Sequence, residues 1–184
     1  LCDQFIKKTN GSQFLKKHTE IVDNLLIKLW IDSNVSKKNT LIAVGGYGRN
    51  ELFPYSDVDI LVLNSKKSIE NDENISQFIT KCWDIGLKIG HSVRNLAEVK
   101  EEFIADISTA TNLLEARLIF GSHDLFLKFN TTINKTINIK KFFKEKMAEQ
   151  AIRHRKYRDS AYQLEPNIKE SPGGLRDLQM ILWI

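Results

Sequence analysis

The sequence predicts an α/β (α+β) fold, a small mixed sheet backed by helices and followed by a region of helices only. Three observations predict it. Two short apolar runs, 40–44 and 58–63, flank a stretch punctuated by glycine and proline. Residues 87–94 alternate apolar with polar, the period of a strand, and beyond them the apolar residues recur with the helical period. At 184 residues the chain is long enough to bury the core of one domain or slightly more.

The elements follow in order. In 13–31, Phe14, Leu15, His18, Ile21, Val22, Leu25, Leu26 and Leu29 keep the helical period, with Ser12 as the expected N-cap. Residues 40–44 suit a buried strand that ends at Gly45-Gly46, and 48–52 a short helical turn stopped by Pro54. The run 58–63 is apolar on both faces, as a central strand would be. After a polar loop at 64–71, Ile75, Phe78, Ile79, Cys82 and Trp83 mark an amphipathic helix that ends near Gly86. In 87–94, Leu87, Ile89, His91 and Val93 share one face, and Lys88, Gly90, Ser92 and Arg94 the other, which predicts a half-exposed strand. His18 and His91, alternating with apolar residues, read as core histidines. From Leu96 the pattern is helical, with Asp106 or Ser108 capping a helix that Gly121 terminates. All strands are therefore expected before residue 95. The basic stretch 138–163 reads as one long helix closed by Pro166. The implied division is an N-terminal helical segment at 1–38, a core at 39–120 and a helical region at 121–184.

Composition is that of an ordinary globular protein, 42% hydrophobic and 27% charged, with no run approaching a membrane span. Cys2 and Cys82 give neither a disulfide framework nor metal-ligand spacing, so the expected location is the cytoplasm. The net charge of +4 conceals a basic segment. From Lys135 to Arg158 nine Lys or Arg face two acids, either a solvated helix face or an attraction for phosphate-rich or acidic partners. The chain opens without methionine and ends on the apolar run 180–184, which reads as a piece of something longer.

The chemistry is expected in the stretch VGGYGRNELFPYSDVDI, residues 44–60. Gly45-Gly46-Tyr47-Gly48 follows a strand and precedes a helical turn, where backbone N–H groups can meet phosphate if no Cβ holds it away. Turn geometry alone is the competing explanation. No Gly-Lys-Ser/Thr follows, so this is not a P-loop, and the G-x-G-x-x-G dinucleotide pattern is missing too. Asp57 and Asp59, two apart on an extended segment, leave the same face with Cα atoms roughly 6.5–7 Å apart. Two carboxylates so placed either share a cation such as magnesium or are solvated and cap a turn.

Together, the glycine motif and the D-x-D of the next strand resemble the nucleotidyltransferase superfamily that includes DNA polymerase β. More narrowly, the chain resembles the bacterial PII uridylyltransferase/uridylyl-removing enzymes. The matching blocks run in order from about residue 40 to 184: WDIGL at 83–87, GHSVR at 90–94, LLEAR at 113–117, PNIK at 166–169 and PGGLRD at 172–177. The resemblance implies a polymerase β-like core that transfers UMP from UTP to a tyrosine of PII, with release of pyrophosphate. It makes Asp57 and Asp59 the catalytic ligands of magnesium, or of manganese in its place. It makes Gly45 and Gly46 the phosphate-facing glycines, with Ser56 beside them. UTP and PII are the expected partners, with no nucleic acid and no membrane. HD-type and ACT domains, expected in full-length members, are absent from this chain.

Arg49, Arg94, Lys169 and Arg176 are candidate phosphate cations, and Gly173-Gly174 a second flexible turn near the nucleotide. For the cations the competing reading is a surface or interdomain ion pair. Two residues depart from the pattern. Ser92 stands where many superfamily members carry a third acid, which is either supplied elsewhere, with Glu98, Asp106 and Glu165 as the candidates, or unnecessary; Asn50 stands where a small or basic residue is expected. Two alternatives follow: an adenylyltransferase of the glutamine synthetase type, or a nucleotide-binding regulatory module without turnover.

Overall fold

A computed structural model describes residues 10–65, 72–157 and 167–183. Helix α1 (Gly11–Asp32) places Val22, Leu26 and Trp30 on its buried face. It is capped by Asn10, whose side chain accepts the Ser12 N–H at 3.1 Å, so Ser12 lies inside the first turn instead of capping it. Then come β1 (Thr40–Ala43), a single turn α2 (Gly45–Gly48), β2 (Val58–Leu63), α3 (Glu73–Asp84), β3 (Ile89–Arg94), α4 (Leu96–Ala105), α5 (Ile107–Leu114), β4 (Arg117–Gly121) and α6 (His123–Thr136).

The sheet has four strands in the order β3-β2-β1-β4. β1 is antiparallel to both of its neighbours, whereas β2 and β3 are parallel and joined through α3, a connection that parallel strands require. β2 is thus central, as its two apolar faces predict. On one face, Leu41, Ala43, Val58, Ile60 and Val62 pack with Val22, Leu26 and Trp30 of α1 and with Ile75, Phe78, Ile79 and Cys82 of α3. Trp30 meets Phe78 edge to face with ring centroids 5.3 Å apart. Alternation sends Asp59, Leu61 and Leu63 to the opposite face.

Three expectations are corrected. The strands do not all precede residue 95, because residues 117–121 form β4, with a bulge where the register jumps from Leu41↔Phe120 to Ile42↔Leu118. The helical turn expected at 48–52 is made by the glycines themselves: Gly45 takes φ +58°, and the N–H groups of Gly48 and Arg49 close onto the carbonyls of Val44 and Gly45. After Leu96 come two helices, and Asp106 caps the second as expected, through the Thr109 N–H at 2.6 Å, but that helix ends at Leu114 and Gly121 instead closes β4.

By packing, the chain falls into two units, 1–135 and 136–184. In the second, α7 (Ile139–Lys156) ends at a cap on Tyr157, short of the expected residue 163. The remainder of that expected helix, 158–163, and Pro166 lie outside the described residues. α8 (Leu175–Trp183) follows a turn at 167–174. No helix among the described residues is long and apolar enough to cross a membrane.

Candidate nucleotide site

The end of β1 lies beside the start of β2, and the parallel β2–β3 pair brings the start of a third strand to the same place. The Val44 N–H donates to the Asp59 carbonyl at 3.1 Å, which ties the glycine turn to β2. Across the parallel pair, Asp59 is in register with Gly90. A Cβ on Gly90 would collide with Asp59 Oδ1, and one on Gly45 would stand 3.8 Å from Asp59 Oδ2 and 3.3 Å from Asn112 Oδ1. Two missing side chains therefore leave space around a half-buried carboxylate. Asp59 lines a cleft of about 550 Å³ roofed by α4 and α5, with Ser92, Arg94, Glu102, Asp106 and Asn112 among its walls.

Asp57 precedes β2 and is exposed. It lines a neighbouring groove of about 490 Å³ with Trp83, Lys88 and Gly90, so Gly90 borders both hollows. Ser56 lies exposed on the approach loop, its N–H on the Phe53 carbonyl at 3.1 Å. Gly46 is half-buried, and a Cβ there would stand 3.6 Å from Arg49 Nη2.

The two candidate phosphate arginines of this unit are ion-paired. Arg49 donates from Nε to Glu51 at 2.8 Å and from Nη1 to Glu115 at 2.5 Å. Burial alone would lower its pKa, but the hydrogen bonds and charges of these two carboxylates outweigh burial and raise it. Arg94 donates from Nε to Glu102 at 2.6 Å and from Nη1 to its neighbour's carbonyl, Val93, at 2.9 Å. The carboxylate substitutes for Ser92 differ in place. Glu98 closes a capping box with Asn95 at the start of α4. Asp106 lines the cleft while capping α5, and Glu165 lies outside the described residues. His18 is half-buried with Nδ1 2.9 Å from the Leu52 carbonyl, but His91 is exposed on the edge strand, its ring against Trp83.

Lys169, Gly173, Gly174 and Arg176 belong to the second unit. There Asp177 gathers the Gly173 N–H at 2.8 Å, Gln150 Nε2 at 3.0 Å, His154 Nε2 at 2.9 Å and the Arg153 guanidinium. Gly173 has φ +77°, and a Cβ on Gly174 would press on the Ile168 carbonyl at 2.7 Å, so this is a built turn. Arg176 Nε lies 3.3 Å from Glu170, and Lys169 is exposed.

Of the residues named from sequence, Asp59, Ser92, Arg94 and Asp106 line one cleft, and Gly45 stands beside Asp59. Asn112 and Glu102 were not expected there, nor was Glu115 expected as the partner of Arg49. Asn112, in a helix that also carries Ser108, Thr109 and Thr111, gave no distinct signal, and neither did the two glutamates, because their partners lie on other elements.

This fold and this site define a nucleotidyltransferase domain, and the family model for the nucleotidyltransferase domain matches residues 27–106. A second model, GlnD PII-uridylyltransferase, matches 141–184. The bifunctional uridylyltransferase/uridylyl-removing enzyme of Nitrosospira multiformis is 45% identical over 98% of this chain, and that of Hydrogenovibrio crunogenus 47% identical over 98%. The chain belongs to that family. It spans 21% of the length of either relative. A solved toxin–antitoxin structure with AMP-PNP is 19% identical, covers 71% of this chain and 94% of its own, and has a TM-score of 0.41; so loose a likeness carries no weight.

Proposed function

We propose that this chain is the part of a PII uridylyltransferase that moves UMP from UTP to a tyrosine hydroxyl of the PII signalling protein. The hydroxyl oxygen forms a bond to the α-phosphorus, the bond to the β-phosphate bridge breaks, and pyrophosphate leaves. The observation that carries this reading is the Asp59 carboxylate bounded by Gly45 and Gly90, in a chain of this family.

Nucleotidyltransferase domains work with a divalent cation, and the donor set here fits one. Asp59 and Asp57 offer hard oxygen ligands, and the glycines leave room for phosphate oxygens and water to complete the shell. Among the described residues no group of three or more His, Cys, Asp or Glu gathers into a closed metal cage, which suits an ion completed by substrate rather than a structural one. We assign Asp57 and Asp59 to magnesium, or manganese in its place; bound, it would screen the phosphate charge and favour departure of pyrophosphate. The amides of Gly45 and Gly46 open the turn at the end of β1 and receive phosphate oxygens. Arg94 exchanges Glu102 for phosphate, and Arg49, held by Glu51 and Glu115, stiffens the turn beside it. Ser56 contributes a hydroxyl from the approach loop. Lys169, Gly173, Gly174 and Arg176 form a second phosphate-contacting element. The core at 39–120, the segments 1–38 and 121–184 flanking it, HD-type and ACT domains in the whole protein, and a cytoplasmic location complete the proposal.

Turnover of labelled UTP onto PII with magnesium, and its loss in Asp59→Asn, tests this reading. Ser92 in the cleft, at the place of a third acid, favours a second reading in which the chain binds nucleotide without turnover; binding with no transfer by the intact protein would support it. Competition between UTP and ATP separates uridylyl from adenylyl transfer.

A further inference from the structure

Tyr47 is the one large side chain of the glycine turn and is 2% exposed. Its hydroxyl donates to Asp23 Oδ1 of α1 at 2.5 Å. Arg117, the first residue of β4, donates to the same carboxylate through Nη1 at 2.8 Å and Nη2 at 3.1 Å. Nη2 also lies 3.3 Å from the Tyr47 carbonyl, and the guanidinium sits over the Tyr47 ring, 5.3 Å from its centroid. Both the backbone and the tip of Tyr47 are therefore held by one ion pair whose partners are 94 residues apart. None of these groups lines the cleft.

We propose that Asp23 is a positioning residue: with Arg117 it braces Tyr47 and so fixes the Gly45–Gly48 turn in the orientation that presents its amides to nucleotide phosphate. The inference rests on the functional reading above. Its physical basis is preorganisation. A turn with three glycines among four residues samples many backbone states, and amides can select phosphate only if those states are restricted before the ligand arrives. Asp23, charged and doubly bonded to Arg117, is a fixed acceptor, which a neutral acceptor free to rotate would not be. Burial, and then the Asp23 hydrogen bond and charge, push the Tyr47 phenol well above its ordinary range, so it stays a donor at any working pH.

The test compares Tyr47→Phe and Asp23→Asn with Leu26→Ala in the intact protein. Leu26 lies on the same helix and is buried in the core, but its side chain offers the trio no hydrogen bond and no charge. Two readouts are taken: amide hydrogen exchange over 44–49 without nucleotide, and UTP dissociation constants with magnesium, corrected for the folded fraction. Tyr47→Phe and Asp23→Asn should speed exchange over 44–49 and weaken UTP about tenfold or more, the scale of one hydrogen bond to a charged group. Leu26→Ala should lower the melting temperature and leave both readouts unchanged. Unchanged exchange in Tyr47→Phe, or unchanged UTP affinity in a parent that binds UTP, overturns the inference. A parent that binds no UTP overturns the functional reading instead, and the brace is then judged by exchange alone.

Discussion

At Asp59 the space around a carboxylate is set by what its neighbours lack. Adding one methyl group, Gly90→Ala, would force the Asp59 side chain aside without touching the apolar core. We expect Gly90→Ala to lose most magnesium-dependent transfer while its melting temperature stays close to that of the parent. Asp59→Asn should reduce the rate on the order of hundredfold or more, since metal ligation contributes several kcal/mol to the transition state. Full activity in Asp59→Asn, measured as initial rates with labelled UTP, would remove Asp59 from the reaction. A separate expectation concerns Cys82, which is fully buried and whose thiol burial pushes up to about 12 from an ordinary 9.0. The folded state favours the neutral thiol, so this contribution to stability is intact below pH ~9 and fades as pH rises toward ~12. Urea midpoints across that range check it, and Cys82 should resist alkylation at pH 8 until the chain unfolds. The two aspartates and the glycine pair could be read from sequence because a two-residue period and a strand end specify local geometry. Asp23, Glu102 and Asn112 could not, since what each faces, Arg117 for Asp23, Arg94 for Glu102 and the space beside Gly45 for Asn112, is set by the packing of separate elements.

Among the elements, β4 is the instructive one. Leu118-Ile119-Phe120 is a short apolar run, and a run of that length fits a buried helix turn as well as a strand. What decides the matter is the open edge of β1, which no local pattern reveals. Gly121 closes the strand at φ +104° against the Asn39 carbonyl. Gly121→Ala should destabilise the first unit by roughly 1–3 kcal/mol in chemical denaturation, through both backbone strain and the clash. In the second unit, the turn before α8 hangs on Asp177. Burial alone would raise that carboxyl, but hydrogen bonds from Gln150, the Gly173 amide and His154, with the charge of Arg153, bring it below its usual range. A lowered carboxyl stabilises above its unfolded pKa of about 3.9, and the benefit is lost as pH falls through the folded value. α8 should accordingly loosen below pH ~4, visible as faster amide exchange over 173–178, and Asp177→Asn should remove that acid dependence.

For the molecule as a whole, the first unit contains the complete sheet and its core. A chain ended at Lys135 should therefore fold cooperatively by circular dichroism. It should also bind UTP more weakly by about tenfold or more, because Lys169 and Arg176 are proposed to contribute charge-assisted contacts worth ~1.5–3 kcal/mol each. Equal affinity for the truncated and whole chains would make residues 167–176 a connector. The order of helix and strands through residue 94 was legible because its signals are periodic and local. The division at residues 135 and 136 was not, since it depends on which helices share a core.

The pairing of β1 with β4 also sets a timetable. At roughly 5–20 residues per second, a ribosome that has released Ala43 has still to make everything up to Arg117 before β1 gains its second neighbour. During that wait of several seconds, one side of an apolar strand has free backbone groups, the template on which other chains add. Asp23 waits as well, for an arginine 94 residues downstream. On the proposed function, nucleotide would not rescue the nascent chain in this interval, because the glycine turn gains its contacts with Arg117 only at the end of it. Protection before then falls to chaperones, and slowing synthesis just upstream of codon 117 should increase aggregation more than the same delay placed after codon 121.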